Sequence, residues 1–425
     1  MTLALFLAVL LGTMSIGVPI AFALLLCGVA LMFQLDMFDS QIVAQNLLNG
    51  ADSFPLMAVP FFMLAGEIMN TGGLSKRIVN VAMAMVGHVK GGLGYVAILA
   101  SVILASLSGS AVADAAALSA LLVPMMTAAG HDKARSCGLV AAGGIIAPII
   151  PPSIGFIIFG VASGLSISKL FMAGIVPGAL MGLALVITWW WCVRSEDVTP
   201  PPRKSTREIL RTLLDGSWAL ALPGIIIFGL KFGIFTPTEA AVVAAVYSFI
   251  VAVFVYRELP LRNIFKVVTS AAQTTATVMF LVAAALVSAW MITVADLPGQ
   301  LTDLLAPFLD SPMLLMTIIV LIVLAVGCAM DMTPIILILT PVLLPVVKEA
   351  GIDPIYFGVV FMMTLVLGLI TPPVGTVLNV VGGVGRINMG DLVKGLAPFL
   401  LAQILLLVLF ILFPALITVP AKFLS

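Results

Sequence analysis

Two stretches decide the fold: GGIIAPIIPPSIGFIIFGVASG, from Gly143 to Gly164, and GLITPPVGTVLNVVGGVGRI, from Gly368 to Ile387. In each, an adjacent proline pair, Pro151–Pro152 or Pro372–Pro373, interrupts an apolar run. Proline has no N–H and pushes the residue before it out of α geometry. A kinked but continuous packing helix is the plainer reading. A diproline followed by Ser-Ile-Gly reads better as an unwound break, with carbonyls freed around Ala147 and Ile150. Within hydrocarbon such groups are tolerated only where protein or a water-filled cavity receives them.

The two stretches are copies. A shift of 221 carries Pro151–Pro152 onto Pro372–Pro373, Pro124 onto Pro345, Gly130 onto Gly351 and Asp132 onto Asp353. It also carries Gly164, Gly174 and Pro177 onto Gly385, Gly395 and Pro398, and Ser119 onto Thr340. Near the start, Pro19 pairs with Pro237 at a shift of 218. So many matches at one spacing indicate a two-fold internal repeat.

Composition says where such a chain lives. Of 425 residues, 62% are apolar and 9% charged, whereas soluble domains carry about a quarter charged residues. That excludes a cytosolic enzyme and a disordered protein. Lys+Arg and Asp+Glu both number 19, leaving no basic excess for nucleic acid. The chain reads as an all-α integral membrane protein in a lipid bilayer, with Gly- and Pro-broken apolar segments and not the alternation of a β-barrel. The apolar stretch over 3–33 reads as a retained membrane helix. Four scattered cysteines read as small hydrophobes. No phosphate loop, HExxH or Gly-x-Ser-x-Gly is present, which argues against an enzyme.

The polar stretch after Trp189-Trp190-Trp191, rich in arginine, divides the chain into a first repeat over 1–193, a linker over 194–216 and a second repeat over 217–425. The tryptophans suggest an interfacial anchor, and the positive-inside rule puts the linker in the cytoplasm. An odd crossing count per half would invert the second copy and leave the N-terminus periplasmic. Inverted repeats with interrupted segments facing one another near the midplane are the signature of secondary transporters.

Ser108-Gly109-Ser110 interrupts a second kind of segment, ASLSGSAVADAAALSALLVP. Glycine to turn and hydroxyls with bared carbonyls suit a re-entrant hairpin offering hard oxygens to Na⁺; helix packing through small residues is the alternative. In the second copy Asp331, Thr333 and Thr371 replace serine hydroxyls, so two oxygen-lined sites suggest two cations. Substrate candidates are Asp114, Ser153, Asn379 and Arg386. An intramembrane charge such as Arg386 is functional by default, with snorkelling from a helix end as the alternative. Glu67, Glu239 and Asp296 sit beside apolar stretches, able to cap or pair.

The motifs SLSGSAVAD, IIAPIIPPSIGF, FTPTEAA, MDMTPIILILTP and GLITPPVG together resemble the large membrane subunit of tripartite ATP-independent periplasmic (TRAP) transporters, over essentially the full chain. DSFPLMAVPFFMLAGEIMNTGGLSKRIV and SISKLFMAGIVPG resemble permeases for sugar acids of the diketo-gulonate type. The resemblance implies an inner-membrane importer of organic anions driven by a Na⁺ gradient, with no cofactor and an elevator movement. It implies a separate small four-helix membrane subunit and a periplasmic binding protein as partners. It places sodium near Ser108, Ser110, Ala147, Ile150 and Pro152, and again near Asp331, Gly368, Thr371 and Pro373, with substrate between the hairpin tips. A stand-alone Na⁺- or H⁺-coupled di- or tricarboxylate symporter of related fold is the other reading.

Overall fold

The computed structural model describes residues 2–194, 196, 198 and 202–424. Residues 195, 197 and 199–201 of the expected linker lie outside the described residues. Every element found among them is helical, and eight helices are long and apolar enough to span a bilayer.

The repeat is visible element by element. A hairpin of helices Gly92–Ser108 and Ala111–Ala128 in the first half has its counterpart in Pro312–Gly327 and Met332–Glu349. The second arms, 18 residues each, start 221 positions apart. The diproline breaks divide one helix per half into Lys133–Gly144 and Ile154–Ser163, and into Pro354–Gly368 and Thr376–Gly385. The four pieces run 10 to 15 residues, or roughly 15–22 Å at 1.5 Å per residue, about half of a ~30 Å hydrocarbon core. Each piece is therefore too short to cross the hydrocarbon alone.

The halves are antiparallel. Lys133 Nζ donates to Arg386 O at 3.0 Å, so one broken helix begins where the other ends. Lys90 Nζ likewise donates to Arg194 O. At the other end Tyr356 Oη donates to Phe410 O. Each hairpin's second arm packs on the outer piece of the opposite half's broken helix: Ala111–Ala128 on Thr376–Gly385, and Met332–Glu349 on Ile154–Ser163.

The copies differ in instructive places. Ser40–Ala51 and Ala58–Thr71, joined by a 3₁₀ turn over Phe54–Met57, correspond to one uninterrupted helix, Leu261–Val294, of 34 residues. Pro55 in the first copy faces Ala276 in the second, and proline stops the preceding residue from staying helical. The 3–33 stretch is two helices, Thr2–Ser15 and Ile20–Gln34, parted at Gly17 (φ +84°) and Pro19. Helix Thr206–Lys231 occupies the second part of the expected linker, started by a capping box between Ser205 and Glu208. The tryptophans do not act as a set. Trp189 is buried, donating from Nε1 to Gly91 O at 2.8 Å, and a Cβ on Gly94 would lie 2.0 Å from its ring. Trp190 and Trp191 are exposed. Cys27, Cys137 and Cys328 are free, with Cys27 and Cys137 buried.

The polar contacts divide the molecule. Arg77 pairs with Asp215 and Glu258, Thr2 bonds Gln300, and Ser288 donates to Leu24 O. All of these lie within residues 2–86 and 206–308, the flanking group. Gln403 bonds Met181 O and Val374 N bonds Cys328 O. Both lie within residues 90–196 and 312–424, the hairpin group. Beyond the connecting turns, no hydrogen bond or ion pair among the described residues crosses from one group to the other.

A charged cluster secures the end of the first repeat. Glu196 accepts from His131 Nδ1 at 2.7 Å and from Arg135 Nη1 at 2.6 Å. Burial alone would raise its carboxyl, but the hydrogen bond and charge of His131 and the charge of Arg135 outweigh burial and hold it below the usual carboxylate range. A lowered folded value means stability that is present above the ordinary pKa of about 4.3 and is lost as pH falls through the lowered one. Glu196→Gln should therefore cost about 1–3 kcal/mol at neutral pH. Thermal unfolding in detergent should show the gap between wild type and variant closing below pH ~4.

Candidate functional site

The first hairpin tip is a small polar knot. Helix Gly92–Ser108 stops at Gly109, whose φ of +61° lies in the left-handed region, where a residue without Cβ is favoured. Ser110 caps the next helix, accepting from Ala113 N at 3.4 Å, while its own N–H donates to Ser108 Oγ at 3.1 Å. Ser108 Oγ in turn donates to Asp114 Oδ1 at 2.6 Å. Asp114 is 2% exposed, in the first turn of its helix, and its Oδ2 has no partner. The helix dipole favours an acid there.

This knot sits against the first break. A Cβ on Gly109 would fall 2.8 Å from Pro152 O and 3.1 Å from Ile154 N. Ser153, fully buried, donates to Pro148 O at 2.5 Å and accepts from Phe156 N at 3.1 Å, so it caps the second half-helix. Its hydroxyl is committed there and does not line the cavity described below. The carbonyls of Ala147, Ile150 and Pro152 accept no hydrogen bond among the described residues, although all three residues are buried. Buried carbonyls inside a membrane require a partner, and of the three the Pro152 carbonyl is the one that a contact sets against the serine tip, at Gly109.

The second tip repeats the plan with different atoms. Gly327 and Gly368 touch backbone to backbone: a Cβ on Gly368 would lie 2.5 Å from Gly327 C. Val374 N donates to Cys328 O at 3.3 Å, fastening tip to break. Asp331 begins the second arm without a side-chain capping bond, and Thr371 Oγ1 donates to Leu367 O at 2.7 Å. The carbonyls of Asp331, Thr371 and Pro373 accept no hydrogen bond among the described residues. Unlike its buried counterpart, this break is open, with Pro372, Pro373 and Val374 exposed. Both diproline bonds are cis.

One cavity of about 460 Å³ joins the two tips. Ser108, Gly109 and Ser110 line one side, and Asp331, Met332 and Thr333 another. The flanking group closes it with Glu67 and Asn70 from helix Ala58–Thr71 and Thr274 from Leu261–Val294. The structure thus brings the serine tip and the Asp331–Thr333 start together, with each proline break behind its own tip. It leaves Asn379 and Arg386 outside the cavity lining. Asn379 Nδ2 donates to Val374 O at 3.0 Å. Arg386 is an exposed helix C-cap at φ +49°, the position of the snorkelling alternative. Glu239 completes a capping box with Thr236, and Asp296 stands at a helix N-cap without a side-chain capping bond.

Asn70 and Thr274 are polar lining residues that the sequence did not single out, and Glu67, noted there as able to cap or pair, lines the cavity instead. Glu67 and Asn70, three apart, share one helix face, and Thr274 lies in the polar run TSAAQTT within an apolar helix. That pairing of polar faces was the available signal.

The model of a family described as "Tripartite ATP-independent periplasmic transporter, DctM component" matches residues 7–416. The chain is 59% identical, over all of both chains, to the 2,3-diketo-L-gulonate TRAP transporter large permease protein YiaN of Escherichia coli K12. It is 37% identical to the sialic acid TRAP transporter large permease protein SiaM of Vibrio cholerae, covering 95% of each. Among solved structures, the YdaH transporter of Alcanivorax borkumensis aligns with a TM-score of 0.60 at 15% identity, covering 87% of this chain and 86% of that one. That likeness speaks to fold alone.

Proposed function

Because the chain belongs to the DctM family of TRAP transporter large permeases, a family of multi-pass inner-membrane permeases and not enzymes, we propose that it imports an organic acid driven by Na⁺. The family works with a small permease and a periplasmic binding protein. In our reading this chain takes its substrate, a sugar acid of the 2,3-diketo-L-gulonate kind, from such a binding protein and pairs with a separate small four-helix subunit. The observation that carries the coupling is the set of carbonyls that accept no hydrogen bond among the described residues, buried at the first break and open at the second. Those of Ala147, Ile150 and Pro152 beside Ser108 and Ser110, and of Asp331, Thr371 and Pro373 beside Thr333 and Gly368, would each hold one Na⁺.

The driving force is adequate: one charge moving down 100 mV yields about 2.3 kcal/mol. The hairpin group, which beyond the connecting turns shares no polar bond with the flanking group among the described residues, would slide as a unit and carry the substrate between its tips. Both ligands would order the tips together, so that the fully loaded carrier moves in preference to the partly loaded one.

Reconstitution tests this reading. Vesicles holding this chain with its small subunit, given binding protein loaded with 2,3-diketo-L-gulonate, should take up substrate with an inward Na⁺ gradient and stall when choline replaces Na⁺. Uptake indifferent to Na⁺ would remove the coupling. Equal uptake without the binding protein would favour the stand-alone symporter.

A further inference from the structure

Glu67 has no role in the reading above, which this inference deepens by naming a residue that sets the coupling. It lies in helix Ala58–Thr71 and lines the shared cavity. The preceding residue marks where that helix meets the moving tip: a Cβ on Gly66 would stand 3.7 Å from Ser108 Cα and Cβ. Glu67 is half-buried and forms no ion pair or hydrogen bond among the described residues. Lysine, arginine and histidine are absent from the described residues lining the cavity, and its two charged groups are Glu67 and Asp331.

An organic anion in this cavity therefore meets two carboxylates and no protein cation. Asp331 stands beside a proposed Na⁺ site and would be offset when that site fills. Glu67 sits on the opposing wall with nothing to offset it.

We propose that Glu67 is a charge filter on the stationary wall. A loaded carrier lacking its cations would bring a bare anion past an unpaired carboxylate, and Coulomb repulsion in a partly dry cavity opposes that passage. A carrier with cations and no substrate would be attracted to Glu67 and held. The neutralised complex would pass without either penalty. Glu67 would thus disfavour both slips that dissipate the gradient, without itself ligating cation or substrate.

The experiment uses the full transporter in vesicles, with labelled 2,3-diketo-L-gulonate counterflow measured in saturating Na⁺ and in choline. Glu67→Gln should raise the ratio of Na⁺-free to Na⁺-saturated counterflow about tenfold, the scale of one removed charge–charge repulsion at these separations. Glu67→Asp should keep the wild-type ratio. Asn70→Asp, which adds a carboxylate on the same face, should shift the ratio the other way. Sodium-coupled wild type with unchanged ratios in Glu67→Gln and Asn70→Asp overturns the filter alone. A wild type that ignores Na⁺ overturns the coupling reading and the filter with it.

Discussion

Gly109→Val is expected to cut Na⁺-driven uptake about a hundredfold at low Na⁺ while leaving the protein in the membrane. Two penalties fall on one residue. The left-handed φ of +61° costs a side chain with a Cβ about 1–2 kcal/mol. The Cβ would also intrude to 2.8 Å from Pro152 O and 3.1 Å from Ile154 N, and forced overpacking adds about 1–3 kcal/mol. Relief requires the tip to withdraw from the break, which would separate Ser108 and Ser110 from the carbonyls proposed to share the cation with them. Loss of ~3 kcal/mol from cation binding is roughly a hundredfold in affinity. Uptake in vesicles should fall at least that far at low Na⁺ and recover in part at high Na⁺. Uptake with an unchanged Na⁺ dependence would show that tip and break need not touch.

The second large effect falls on assembly of the hairpin group. Helix Met389–Leu412 crosses Lys133–Gly144 with backbones in contact. A Cβ on Gly395 would lie 2.2 Å from the C and O atoms of Ala134, and one on Gly138 would lie 2.5 Å from Leu396 N. Here the obstacle is backbone on both sides, with no flexible side chain to yield. Close approach through small residues is how membrane helices pack. Gly395→Val should therefore cost more than the usual 1–3 kcal/mol of overpacking and leave little folded protein. Size-exclusion profiles in detergent should show aggregated material, against a monodisperse peak for a control with open space such as Gly224→Val, where a Cβ meets nothing within 4 Å. A monodisperse Gly395→Val protein would refute the tight crossing.

These two glycines also show what was legible in the sequence. Proline and glycine act through local backbone rules, so the Ser108–Ser110 tip, both diproline breaks and the 221-residue spacing could be read directly. Position 395 entered the repeat as the partner of Gly174, yet its contact with Ala134 depends on how two halves fold together, which no local rule specifies. The same limit hid the flanking wall of the cavity. Glu67 and Thr274 lie 207 positions apart, and only the packing of helix Leu261–Val294 against Ala58–Thr71 joins them. Arg386 was conspicuous because a charge in an apolar run attracts notice, but hydropathy does not say at which depth a short half-helix stops. Trp189 was hidden likewise: three consecutive tryptophans on a helix point in different directions, and burial separates them.

The seam between Gly66 and Ser108 has a consequence for friction and leakage. Were the two surfaces to slide there as proposed, no hydrogen bond between described residues would be severed, so the motion would meet little enthalpic resistance. By the same token nothing but shape keeps the joint watertight. Its permeability to small ions is then governed by the bulk of the side chains along it, and a protrusion at residue 66 would act as grit in a bearing.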